Sequence, residues 1–102
     1  MATTLNDIIN SETPVLVDFF ATWCGPCKMM DPILKDLKTR MGGQVMIVKV
    51  DVDKNPEAAQ ALGVQGVPTL VIFQSGELKW RQSGVVAAHV LQQVLQHYLP
   101  SH

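Results

Sequence analysis

Apolar residues gather in short runs separated by polar, turn-forming stretches, and their spacing switches between helical and extended from run to run. Leu5, Ile8 and Ile9 share one stripe, which predicts a short helix over Leu5–Asn10. Val15–Phe20 is almost wholly apolar at both alternating positions, as in a strand covered on both faces. From Pro26 to Met41 the period becomes helical, with Cys27, Met30, Leu34, Leu37 and Met41 on one stripe and Lys28, Lys35 and Lys38 among the polar positions. Pro32 interrupts this helix and is expected to bend it, and Gly42-Gly43 ends it. Val45–Val50 is a second apolar strand. Asn55-Pro56-Glu57 then marks a helix start, with an Asn cap, a first-turn proline and an early acid, and this helix stops at Gly63. Thr69–Phe73 and Leu78–Ser83 are two more strands, joined through Gln74-Ser75-Gly76-Glu77 in a hairpin. Val90, Leu91, Val94, Leu95 and Tyr98 repeat at helical spacing until Pro100.

The order is α-β-α-β-α-β-β-α. Strands alternating with helices imply a parallel pair, and the closing hairpin adds antiparallel strands. The expected fold class is α/β: a three-layer α/β/α arrangement around a mixed, four-stranded central sheet. At 102 residues, with no repeat or internal linker, the chain reads as one domain over 1–102. A formal charge of −1 gives no reason to expect nucleic acid or an anionic membrane as partner. No apolar run approaches the ~20 residues that cross a bilayer. The first residues lack the basic start and apolar stretch of a secretory signal, so a cytoplasmic location is expected.

Both cysteines of the chain lie in Trp23-Cys24-Gly25-Pro26-Cys27, at the carboxyl end of the first strand. Two cysteines at this spacing beside a βαβ pattern read as a redox dithiol. Gly25-Pro26 favours a tight turn into a helix, because proline suits the first helical position. Cys24 then sits at the helix start, where free N–H groups and the helix dipole stabilise a thiolate. Cys27 follows one turn later, on the same face and within disulfide reach. Cys24 is expected to be the more exposed, attacking thiolate, and Cys27 to turn towards the core and resolve the mixed disulfide. Zinc is the other chemistry of such a pair, but it wants four ligands. Only His89, His97 and His102 could complete the set, at separations of eight and five residues that form no close pair on one helix face. No metal is expected.

Asp18 is the second anomaly, a carboxylate inside an apolar strand. Burial raises a carboxylate's pKa, which equips Asp18 to hold or pass a proton near neutrality, acting on Cys27 through a water. Lys49, the lone cation of the next strand, is placed to modulate it. Val67-Pro68 precedes the third strand; a cis bond there would expose the Val67 backbone beside the cysteines. Trp23 is expected to shield the site, whereas Trp80 reads as packing.

The run from Asp18 to Met30 followed by Pro32 closely resembles the active-site segment of the thioredoxin family. The likeness continues through Lys49–Asp53, Asn55-Pro56, Gly63-Val64, Gly66–Thr69 and Gly84, and so covers the chain from about Val15 to its end. It implies the thioredoxin fold and a protein-disulfide reductase with no bound cofactor, acting on disulfide-containing client proteins. Its electrons would come from NADPH through a flavin-containing thioredoxin reductase. By the same resemblance Asp18 matches the family's buried acid, Lys49 its neighbouring lysine and Pro68 its cis proline. Gly66, Val67 and Gly84 match its substrate-docking surface.

Two departures stand out. Phe20 occupies a place where the family usually has another aromatic, often Trp. The family also begins with a strand before its first helix, and only four residues precede Leu5 here. With that strand missing or vestigial, Val45–Val50 becomes a sheet edge. Cover by the amino-terminal residues, or by a second copy in a homodimer, is the expectation. Relatives that oxidise substrates commonly place His between their cysteines, whereas Gly25-Pro26 supplies no charge, so the dithiol is expected to donate electrons. The rival readings are a thioredoxin-like binding or scaffold module and an exported dithiol oxidant.

Overall fold

Strand β1, Val15–Phe20, is the centre of the molecule: in a computed structural model describing residues 5–100, its first five residues are fully buried. It pairs in parallel with β2, Met46–Asp51, and antiparallel with β3, Thr69–Gln74, which in turn pairs antiparallel with β4, Glu77–Ser83. The order across the mixed sheet is β2-β1-β3-β4. Alternation then sorts the side chains. Leu16 joins Leu70 and Ile72 under helices α2, Gly25–Met41, and α4, Ala88–Gln96. Val15, Val17 and Phe19 face the opposite way, against residues of α1, Leu5–Ile9, and α3, Pro56–Ala61. This is the expected three-layer architecture and element order, and it explains why β1 carries no polar face to give away.

The stripe read on α2 is the one the structure buries: Cys27, Met30, Leu34, Leu37 and Met41. The helix runs as one element through Pro32, which lies on the exposed side, where the carbonyl left without its N–H partner is open to solvent. Gly42 closes it at φ +57°. β2 begins and ends one residue later than the sequence pattern suggested, with Val45 buried just ahead of it. Asn55 does occupy the cap of α3, but its side chain does not cap. Its amide donates backwards to the Asp51 carbonyl at 3.1 Å, while Asp51 Oδ1 accepts from the Asp53 and Lys54 N–H groups. The Asx turn at Asp51 orders the loop ahead of the helix, and the first turn of α3 has no side-chain cap.

The β3–β4 connection has Ser75 at φ 53° and Gly76 at φ 79°, the pair of left-handed residues that a two-residue hairpin requires. Its tip docks on the α1–β1 loop: Ser75 N–H donates to Ser11 and Gly76 N–H to Ile9. A Cβ at Gly76 would also meet Asn10 Oδ1 at 2.5 Å, a contact the exposed Asn10 side chain can swing away from, so the positive φ is what calls for glycine.

β2 is a sheet edge, as expected. Among the described residues no strand pairs with its outer side. The amino-terminal residues 1–4 and His102 lie outside the described residues. Helix α1 lies over the β-sheet face shared with α3 and does not extend the sheet.

Candidate active site

β1 delivers the chain to Ala21, and a backbone bond from Cys24 N–H to the Ala21 carbonyl turns it into α2. Cys24 is the N-cap of that helix, extended at φ −88° and ψ 112°, with proline within the first turn. Its sulfur accepts the Cys27 backbone N–H at 3.1 Å. The two cysteines form a disulfide with Cα atoms 5.3 Å apart. The Cys27 N–H sits at the positive end of a 17-residue helix, the kind of donor that favours negative charge on a sulfur. Gly25 and Pro26 are exposed and supply no charge.

One expectation is corrected here. Cys24 is no more open than Cys27 in this disulfide form: 4% and 3% of their surfaces reach solvent. Both pack with Ala21, and Phe20, Val52 and Val67 lie against them. Cover of Cys24 comes from the loop before β3, whose Val67 carbonyl oxygen lies 3.6 Å from its sulfur. What distinguishes the cysteines is therefore the N-cap hydrogen bond to Cys24, and not exposure.

The Val67–Pro68 bond is cis, and Pro68 is buried. Gly84, at φ 93°, donates its N–H to the Pro68 carbonyl, so the two segments matched to a docking surface do meet. Gly66, Val67 and Trp23 line a shallow hollow of about 110 Å³ with Val52, Val64 and Gln65. Trp23 is 70% exposed and forms the rim of this hollow more than a shield over the sulfurs. Its indole N–H donates to Asp53 at 2.9 Å. Trp80 packs against the α2–α4 core, as expected.

Asp18 is completely buried, and neither carboxylate oxygen has a hydrogen-bond partner. Burial pushes its pKa up to about 6, with Lys49 pulling it down and Asp31 pushing it up. Lys49 is its register partner on β2, so the two side chains share a face of the sheet. The Lys49 ammonium is engaged elsewhere, 2.5 Å from Asp31 and 4.5 Å from the centre of the Phe20 ring. A cavity of about 210 Å³ lies beside Lys49 and Cys27, lined also by Phe20, Ala21, Thr22, Lys28 and Asp31, with Asp18 enclosed behind it and not part of its lining. It has room for several waters.

Three contributors escaped the sequence reading. Asp31 looked like an ordinary polar helix position, although its spacing of four from Cys27 placed it over the same turn. Asp53 gave no sign of reaching Trp23, thirty residues away. Thr69 is fully buried, and its hydroxyl donates to the Gly66 carbonyl at 2.6 Å and sits 3.2 Å from the Ser83 hydroxyl, tying down the docking loop.

Comparison with known proteins agrees with this geometry. A family model described as thioredoxin matches residues 2–97. Thioredoxin 1 of Chlorobaculum tepidum is 48% identical over 94 residues, spanning 91% of this chain and 93% of that protein. A bifunctional thioredoxin reductase/thioredoxin of Mycobacterium leprae is 41% identical over 95 residues, which span 93% of this chain and 21% of that protein. Among solved structures, a mutant thioredoxin from Halobacterium salinarum superposes with a TM-score of 0.87 at 36% identity, covering 100% of this chain and 88% of that one.

Proposed function

The chain belongs to the thioredoxin family and is a protein dithiol–disulfide oxidoreductase, and on that premise we propose how its residues divide the work. The Cys24 thiolate attacks a client disulfide, forming a mixed disulfide and releasing one client thiolate. Cys27 then attacks the Cys24 sulfur, which closes the Cys24–Cys27 disulfide and releases the second client thiolate. Two electrons pass from protein to client. The observation that carries this assignment is the Cys27 N–H held against the Cys24 sulfur at a helix N-cap. It favours charge on Cys24 over charge on Cys27.

Asp18 is the base for the second step, accepting the Cys27 proton through a water that enters between the two groups. Its complete burial without a hydrogen-bond partner, on the sheet face that α2 covers, supports this role. Trp23, Gly66, Val67 and Gly84 form the surface that receives the client backbone, with the buried cis Pro68 setting the course of the chain beneath it. Recharging by a flavin-containing, NADPH-dependent thioredoxin reductase is the natural complement, and the fused M. leprae relative supports it. A cytoplasmic setting suits a reductant. No helix among the described residues is long and apolar enough to cross a membrane.

Direction of electron flow is tested by equilibrating the protein with glutathione. A potential on the reducing side of about −230 mV is expected. A value near about −120 mV, that of a strong oxidant, would transfer the protein to the exported-oxidant reading. Failure to accelerate insulin reduction by dithiothreitol would favour a scaffold module instead.

A homodimer through the Val45–Val50 edge is a separate proposal, supported by the unpaired outer side of β2 among the described residues. Against it, Lys35, Lys38 and Lys49 line the groove along that edge, the kind of charge that discourages strand pairing. Sedimentation as a monomer at high concentration would dismiss it.

A further inference from the structure

Lys49 and Asp18 are register partners on adjacent parallel strands, and a buried carboxylate with no hydrogen-bond donor would ordinarily draw a neighbouring ammonium to itself. Here it does not. The ammonium is held by Asp31 at 2.5 Å and lies over the Phe20 ring, at the wall of the cavity that also reaches Cys27. Asp31 is half-exposed on α2, so it keeps its charge cheaply, and only its carboxylate is within ion-pairing distance of Lys49 among the described residues.

We infer that Asp31 is a positioning residue for proton transfer: by anchoring the Lys49 ammonium at the cavity wall, it withholds that cation from Asp18 and so sets when Asp18 binds a proton.

Other groups around Asp18 do not offer the same control. β3 presents Leu70 at the opposite register position, and α2 packs over this face with Met30, Ile33, Leu34, Leu37 and Met41, none of them charged. Asp51, two positions further along β2 from Lys49, is spent on its own turn, accepting from Asp53 and Lys54. Lys28 lines the cavity and Lys35 the neighbouring groove, and neither has an ion-pair partner among the described residues. The charges acting on Asp18 are thus Lys49, which favours its ionised form, and Asp31, which opposes it. Asp31 opposes it in two ways: by direct repulsion and by occupying the cation. The second is the specific content of the inference.

It rests on the reading of Asp18 as the base for resolution, and the experiment separates the two. The Asp18 carboxyl is titrated by NMR in the intact protein and in Asp31→Asn, Lys49→Met and the double variant; both sites are exposed, so folding is undisturbed. Asp31→Asn is expected to lower the Asp18 midpoint from about 6 towards the ordinary aspartate value. Lys49→Met is expected to raise it. The decisive comparison is the double variant, where loss of Asp31 should move the midpoint much less than it does with Lys49 present. Equal movement in both backgrounds would leave only direct repulsion and overturn the inference, as would no movement at all. The pH profile of mixed-disulfide resolution should follow the Asp18 midpoint to lower pH in Asp31→Asn. A midpoint that moves while that profile stays fixed would uphold the positioning by Asp31 and refute Asp18 as the base.

Discussion

Cys27→Ser is expected to accumulate covalent complexes with client proteins, visible as dithiothreitol-sensitive bands on a non-reducing gel, while Cys24→Ser accumulates almost none. The asymmetry follows from the backbone and not from exposure, since the two sulfurs are equally covered in the disulfide form. Only Cys24 is the N-cap of α2, and only its sulfur receives an N–H from the first turn. With Cys27 replaced, Cys24 still ionises and attacks, but nothing resolves the product. With Cys24 replaced, Cys27 retains neither the N-cap position nor that donor, and it lies 3% exposed at the wall of the cavity shared with Lys28, Asp31 and Lys49. Both variants should lose catalysed insulin reduction down to the rate of dithiothreitol alone. Equal trapping by the two variants would show that the N-cap bond does not choose the nucleophile.

The parts of this molecule visible in its sequence are those governed by period and by local chemistry. The stripe on α2 and the doubly apolar β1 reflect which faces must be dry, and the structure buries those same residues. Gly76 and Gly42 sit where positive φ is needed, and turns are local. Hidden features depend on distant partners. Asp31 finds Lys49 across eighteen positions, Trp23 finds Asp53 across thirty, and Thr69 meets Ser83 across a hairpin. Periodicity carries no information about such pairs. The cover over Cys24 was misjudged for the same reason: it comes from Val67, forty-three residues away, brought in by β3 pairing beside β1. Asp18 lies between these cases. Its apolar neighbours announced burial, but the sequence could not show that Lys49, though adjacent, would be turned to Asp31.

Asp18→Asn should make the protein more stable at neutral pH and slower in its cycle, and the pH dependence of the first effect identifies its source. In the unfolded chain Asp18 ionises near 3.8, whereas burial holds the folded group protonated up to about 6. Below about pH 4 both states carry the proton and nothing is lost. As the pH rises from there, only the unfolded chain gives it up, so stability falls until about pH 6 and then levels. The loss amounts to about 3 kcal/mol, reduced to the extent that water penetrates or the site relaxes around the charge. Asparagine carries no charge at any pH. Guanidinium unfolding should therefore show Asp18→Asn gaining on the parent protein between about pH 4 and about pH 6.5, with a constant advantage above. An advantage independent of pH would trace the effect to packing or to the amide's hydrogen bonds and not to ionisation. Resolution of a trapped mixed disulfide should slow, by up to about a hundredfold if Asp18 supplies a positioned base, and the first attack by much less. Stopped-flow traces in which only the first step slows would detach Asp18 from Cys27. If both outcomes hold, the stability that the carboxylate forfeits and the rate that it confers share one origin: a buried ionisable group whose neighbouring cation is held by Asp31.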